Sequence, residues 1–200
     1  MSEKELIDEY RARREHFKDI ERKAKFQLNN ALKSQIKVHS LQSRIKSLDS
    51  FLEKAKSKNL KDPFNQVKDL VGLRIVCLFL PDLNKVGEII KRTFRLISEE
   101  DKIDKHPKDV FGYMDIQYIV ALRNTVKLGI ESMQFEIQVR TIAQDAWASV
   151  SHELYYKKED AIPKEWERDF YALSALFYVA DQHFKMLHRQ TRTEFLLDNY

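Results

Sequence analysis

Between Glu3 and Lys33 the apolar residues Leu6, Tyr10, Phe17, Ile20, Ala24, Leu28 and Leu32 recur at intervals of three, four or seven. This spacing predicts one long helix with a single stripe against the body of the protein. Its Arg11, Arg13 and Arg14 are expected on a solvated face. From Ser43 to Lys58 the period changes from strand-like to helix-like, so that Arg44 and Lys46 share one face of an extended segment while Ser50 and Lys54 lie one helical turn apart. The run Val71, Leu73, Ile75, Val76, Cys77, Leu78, Phe79, Leu80 reads as a buried strand entered through Asp69 and Gly72. Pro81 and Asp82 then open a helix to about Phe94, with Leu83, Val86, Ile89, Ile90 and Phe94 on its core side.

Further along, Glu99 to Lys108 reads as a charged loop. Tyr118 to Leu122 continues a strand from Gly112, and Arg123 to Glu131, with Gly129, reads as a hairpin connection to the next strand. In that next strand Phe135, Ile137 and Val139 alternate with Glu136, Gln138 and Arg140. A final helix is expected from Pro163, with Trp166, Phe170, Leu173, Leu176, Phe177, Ala180, Phe184 and Leu187 as its buried stripe. Phe195 to Tyr200 is expected to be a frayed tail or the start of further sequence. The whole, residues 1–200, reads as a single domain with an N-terminal helix over about 3–33 and a C-terminal helix over about 163–190.

Composition narrows the classes. The net charge of +4 and a pI of about 9.0 permit contact with nucleic acid, but acids interrupt the Lys and Arg throughout, so no basic tract demands it. One cysteine excludes a disulfide framework, and Cys77 falls in an apolar strand where a core role is expected. There is no secretory leader and no apolar run near the ~20 residues that span a bilayer, so a soluble, cytoplasmic protein is expected.

The chemistry concentrates where an apolar strand presents Glu136, Gln138 and Arg140 and feeds a polar, aromatic helix reaching Lys157. Taken by itself, that trio is better explained as a solvated outer sheet face. Asp69 at the mouth of the buried strand is either a turn residue or, together with Glu136, part of a site for a hard cation, because Mg²⁺ is commonly held by one or two carboxylates plus substrate phosphates. Arg44, Lys46, Ser50 and Lys54, around a strand-to-helix passage, offer guanidinium, ammonium and hydroxyl donors and a helix N-terminus to a polyphosphate, or form only an exposed basic side.

In this order the segments SRIKSLDSFLEK, KDLVGLRIV, HPKDVFGY, FEIQVRT and WASVSHELYYK, spanning Arg44 to Lys157, resemble the synthetase domain of the RelA/SpoT family, the pyrophosphokinases that make guanosine tetra- and pentaphosphate. The resemblance implies an α+β fold, a mixed β-sheet flanked by helices and related to nucleotidyltransferases. It implies a reaction that moves the β,γ-pyrophosphate of ATP to the 3′ hydroxyl of GDP or GTP, with Mg²⁺. Carried over, Arg44 and Arg74 grip the adenine from its two faces, and Lys46, Ser50 and Lys54 reach the phosphates. Asp69 holds the metal, with Glu136 on the metal or acting as base. Tyr113 stacks on the acceptor guanine, Lys108, Gln117 and Gln138 belong to the acceptor side, Arg140 supports, and His152 braces the site. Such chemistry rests on positioning and charge neutralisation, and no protein nucleophile is evident. The His and His-Asp elements of the hydrolase domain found in longer relatives are missing.

The sequence also departs from that family. Where most synthetases read Gly-Tyr-Arg-Ser, one further residue and His, this chain has Gly112, Tyr113, Met114, Asp115, Ile116 and Gln117. An acid beside a polyphosphate weakens binding unless it points away or meets a cation. The altered acceptor side fits two alternatives: transfer to the 3′ end of tRNA, as in toxin-type members, or a nucleotide-binding regulator that has lost catalysis. A homo-oligomer is a further expectation, since stand-alone relatives often assemble.

Overall fold

The computed structural model of the protein describes residues 2–102, 115–123, 133–155 and 164–197. The chain begins with helix α1 (Glu3–Lys33), closed at its start by a capping box between Ser2 and Glu5. It buries Tyr10, Phe17, Ile20, Ala24, Leu28 and Leu32, the stripe that the spacing predicts. Strand β1 (Val38–Ile45) follows, then α2 (Leu48–Ser57), capped by Ser47, and a single turn α3 (Pro63–Gln66). Strand β2 (Val71–Cys77) leads into α4 (Leu80–Thr93) and then β3 (Arg95–Asp101). Strand β4 (Ile116–Ala121), β5 (Gln134–Thr141), α5 (Ile142–Tyr155) and α6 (Lys164–Leu197) complete the order among the described residues.

The five strands form one mixed sheet in the order β1-β2-β5-β4-β3. Only β2 and β5 run parallel; the other neighbours are antiparallel. One face is apolar: Val71, Leu73, Ile75 and Cys77 from β2 and Phe135, Ile137 and Val139 from β5 are all buried, as are Tyr118 and Val120 of β4. Helices α1 and α4 share one core with these residues, through Phe17, Leu28, Val86 and Ile90 among others. Gly87 matters here, because a Cβ at that position would lie 2.3 Å from the Tyr118 hydroxyl oxygen. The bare α4 backbone at this point is what lets that ring fill the core.

Two expectations are corrected. Residues Glu99 to Asp101 are not loop; they pair with Tyr118, Gln117 and Ile116 as part of β3. Its acids hid the strand because β3 is an edge with a largely exposed surface, where apolar alternation is not required. The expected buried stripe of α6 holds only in part: Phe170, Phe177 and Ala180 are half-buried. Trp166, Leu173, Leu176, Phe184 and Leu187 are exposed, Leu176 by 63%, whereas the fully buried positions are Ser174 and Asp181. Periodicity found the helix but could not say which side the body of this chain covers. Pro163 lies outside the described residues.

Candidate active site

Strand alternation collects the polar side chains on the second face of the sheet. Register aligns Gln42, Arg74, Gln138, Gln117 and Glu100 in one row across all five strands. The adjacent row runs from Arg44 through Gly72 to Glu136. Gly72 puts no side chain between the guanidinium and the carboxylate, and a cavity of about 170 Å³ opens there, lined by Arg44, Asp69, Gly72, Arg74, Glu136 and Gln138. Next to it lies a groove of about 580 Å³ bounded by Arg44, Lys46, Ser47, Ser50, Lys54, Lys58, Asp69 and His152. Tertiary structure thus brings Asp69 and Glu136, remote in sequence, to one cavity.

Asp69 joins the two spaces. Its Oδ2 accepts from Lys46 Nζ at 2.8 Å and its Oδ1 from Lys54 Nζ at 2.8 Å. Burial alone would raise this carboxyl's pKa, but the two lysine hydrogen bonds and charges outweigh it and hold the group below the usual range. Lys46 is itself fixed by its backbone, whose carbonyl accepts from the Tyr10 hydroxyl and whose N–H donates to Leu70 O at 2.9 Å. Lys54 is placed by α2, whose N-terminus is closed by Ser47 accepting from Ser50 N at 3.2 Å. Glu136 behaves oppositely: burial, and then the nearby negative charges of Asp69 and Asp115, raise its pKa. Gln138 Nε2 donates to Glu136 Oε1 at 2.8 Å and fixes the carboxylate's orientation.

Across the sheet, the acceptor-side expectations divide. Lys108 and Tyr113 lie outside the described residues, as do Gly112 and Met114. Asp115 is fully buried, and Arg140, also fully buried, donates to its Oδ2 at 3.3 Å and to Gln138 Oε1 at 3.0 Å. Lys102 Nζ stands 3.9 Å from the other Asp115 oxygen. The acid has met its cations. Burial still leads and raises the pKa of Asp115, and desolvation pushes that of Arg140 down to about 10, so the guanidinium stays charged at neutral pH. Gln117 Nε2 is turned to Asp115 Oδ2 at 3.2 Å. Arg140 is therefore not on a solvated face but at the centre of a closed polar network.

The two carboxylates suit a hard divalent cation. Two acids in one cavity are what Mg²⁺ takes from a protein when phosphate and water supply the rest, and among the described residues no cluster of three or more His, Cys, Asp or Glu side chains competes for a metal.

Comparison with known proteins decides the family. Residues 43–161 match the family model described as "Region found in RelA / SpoT proteins". The chain belongs to the RelA/SpoT family. GTP pyrophosphokinase YwaC of Bacillus subtilis (strain 168) is 30% identical to it over 156 residues, 75% of this chain and 72% of YwaC. GTP pyrophosphokinase YjbM of the same strain is 32% identical over 127 residues, 61% of this chain but only 58% of YjbM. Among solved structures, the small alarmone synthetase 1 of B. subtilis bound to its product pppGpp matches with a TM-score of 0.72 at 27% identity, over 88% of this chain and 96% of that one. A GTP pyrophosphokinase family protein from Streptococcus pneumoniae matches with a TM-score of 0.81 at 21% identity, over 93% and 96%, which supports the α+β synthetase fold.

Sequence reasoning missed one residue of this RelA/SpoT site. Asp145, in the first turn of α5, accepts from Arg74 Nη1 at 3.2 Å and lies 3.5 Å from Arg140 Nη1. The available signal was an acid one turn beyond the FEIQVRT strand, but nothing along the chain shows that two arginines from different strands reach it. His152 is on an exposed part of α5 at the rim of the lysine-lined groove, and desolvation together with Arg44 lowers its pKa.

Proposed function

We propose that this protein is a synthetase of the guanosine tetra- and pentaphosphate type, a pyrophosphokinase that transfers the β,γ-pyrophosphate of ATP to the 3′ hydroxyl of GDP or GTP. One observation carries this reading: Asp69 and Glu136 line a single cavity that also holds Arg44 and Arg74 and opens beside the groove of Lys46, Ser50 and Lys54. The RelA/SpoT match and the relatives named GTP pyrophosphokinase support it.

In this reading Arg44 and Arg74 hold the adenine by stacking on its ring, and Lys46 and Lys54 neutralise the phosphates as point charges. When these ammonium groups turn to the triphosphate they release Asp69. Asp69, with Glu136, would then hold Mg²⁺, which supplies charge neutralisation on the transferred group when bound. The raised pKa of Glu136 also suits it to accept the acceptor hydroxyl's proton. Lys108, Tyr113 and Gln138 would position the guanine nucleotide.

The chain is proposed to act as one domain, in the cytoplasm, where its nucleotide substrates are. Among the described residues no helix is long and apolar enough to cross a membrane. The exposed apolar residues of α6, Leu173, Leu176 and Leu187 among them, are the surface we propose for a homo-oligomer.

A second reading, transfer to the 3′ end of tRNA, is favoured by the closure of Asp115 on Arg140 and of Gln117 on Asp115, which leaves neither position presenting a cation to a 5′ polyphosphate. Labelled ATP and Mg²⁺ incubated with GDP, GTP or deacylated tRNA separate the readings. Label on the guanine nucleotide is expected; label only on tRNA establishes the second reading, and no transfer to any acceptor overturns both.

A further inference from the structure

The site does not use one buried acid that is nonetheless connected to it. Asp181 lies on α6, only 2% exposed, and Thr141 Oγ1 donates to its Oδ2 at 2.6 Å. An ionised carboxylate can only accept, so the Thr141 hydroxyl donates here, and the same oxygen accepts from Gln144 N at 3.1 Å. Gln144 Oε1 in turn accepts from Thr141 N at 3.0 Å, completing a capping box that starts α5 directly from the end of β5. Thr141 and Gln144 are as buried as Asp181. The other Asp181 oxygen has no hydrogen-bond partner among the described residues, so the fold tolerates a costly buried acid for a single bond.

The location of that bond gives it reach. Upstream of Thr141 in the same strand stand Glu136, Gln138 and Arg140; one turn downstream stands Asp145, which pairs with Arg74 and Arg140. Two residues beyond Asp145, Trp147 packs against Phe170 and Phe177 of α6, its ring centroid 4.5 and 6.0 Å from theirs.

We propose that Asp181 is a positioning residue: it ties the C-terminal helix to the β5–α5 junction and so holds Asp145 where it orients Arg74 and Arg140. The ligand affected is the purine base of the donor nucleotide, an assignment that rests on the ATP reading above. Of the lysines assigned to the phosphates, Lys46 directly follows β1 and Lys54 lies on α2, and the hydrogen bond of Asp181 is made to Thr141, away from both.

Two ligands separate this role from general destabilisation. Asp181→Ala is expected to weaken binding of a non-hydrolysable ATP analogue about tenfold while inorganic tripolyphosphate, which needs only the lysine groove, binds within about twofold of the parent. Asp181→Asn, whose amide oxygen still accepts from Thr141, is expected to restore analogue binding. If Asp181→Ala does not fold, Asp181→Val, which fills more of the volume, takes its place. Unchanged analogue affinity, an equal loss for both ligands, or an Asn variant that behaves like Ala would each overturn the proposal.

A second readout is independent of nucleotide. In a Trp166→Phe background, Trp147 emission is expected to shift to the red in Asp181→Ala and not in Asp181→Asn; an unshifted Ala variant overturns the tie between α6 and the junction. A parent protein that binds neither ligand would count against the proposed function, and the Trp147 signal would still decide the role of Asp181.

Discussion

Lys54 Nζ and Asp69 Oδ1 are 2.8 Å apart, the ammonium on the helix that borders the lysine-lined groove and the carboxylate at the entrance of β2. With Lys46 on the other oxygen, the carboxylate is clamped from both sides. On the proposed function each lysine has two alternative anions, the internal carboxylate and an incoming triphosphate.

Replacing Lys54 by Met should leave the fold intact, because the side chain is partly exposed. It should lower kcat/KM for ATP by roughly 10- to 100-fold, the value of one charge-assisted hydrogen bond. Steady-state kinetics at saturating acceptor measure it, and a loss below threefold would remove Lys54 from the phosphate site.

Asp69→Asn and Glu136→Gln should each reduce transfer by at least about 10³-fold with little change in thermal stability. Asp69→Asn has a second consequence: with the internal anion gone, both ammonium groups are available, so metal-free nucleotide in EDTA should bind more tightly than to the parent. Calorimetry of an ATP analogue without metal tests this, and weaker binding would show that the clamp does not compete with phosphate.

Asp115→Ser should be strongly destabilising. It removes the carboxylate nearest the fully buried Arg140, leaving Asp145 at 3.5 Å, and breaking such a buried pair typically costs about 3–5 kcal/mol, or roughly 10 °C in Tm for a chain of this size. Asp115→Asn keeps an acceptor oxygen and should cost less. With the serine common in the family at position 115, Arg140 would have to rely more heavily on Asp145 and Gln138. A serine variant that melts like the parent would contradict the pairing.

Asp181 makes a pH-dependent contribution with a defined sign. Burial raises its pKa from 3.8 to about 6, so the folded chain holds the proton more tightly than the unfolded chain. Its stabilising contribution is present in full below the usual carboxylate range, is lost as pH rises from about 3.8 to about 6, and stays lost above that. Asp181→Asn should therefore gain on the parent across that window and be more stable above it, by on the order of 1–3 kcal/mol. Urea midpoints of the two proteins across pH would reveal a flat difference if the acid is not desolvated.

Much of the site was legible because strand alternation and helical spacing are local. The stripe of α1, the inward set of β5 and the passage from Arg44 to Lys54 follow from periods of two and 3.6, and a residue's face is decided by its neighbours in sequence. The ordered segments around Asp69 and Glu136 then pointed to the family. The strand β3 was not legible, because an edge strand is free to be acidic, and neither was the exposure of α6, because an amphipathic helix does not state what covers it.

Sequence by itself determined most of the elements, the two acids and the basic groups that could serve a nucleotide. Tertiary structure decided their partners: that Asp69 is shared by two lysines, that Asp115 closes on Arg140, that Asp145 joins Arg74 to Arg140, and that a C-terminal acid reaches the hinge of the central strand. The reason is physical. Side-chain type and period are properties of the chain, whereas charge pairing at 3 Å depends on sheet register and helix packing, which bring together residues tens of positions apart.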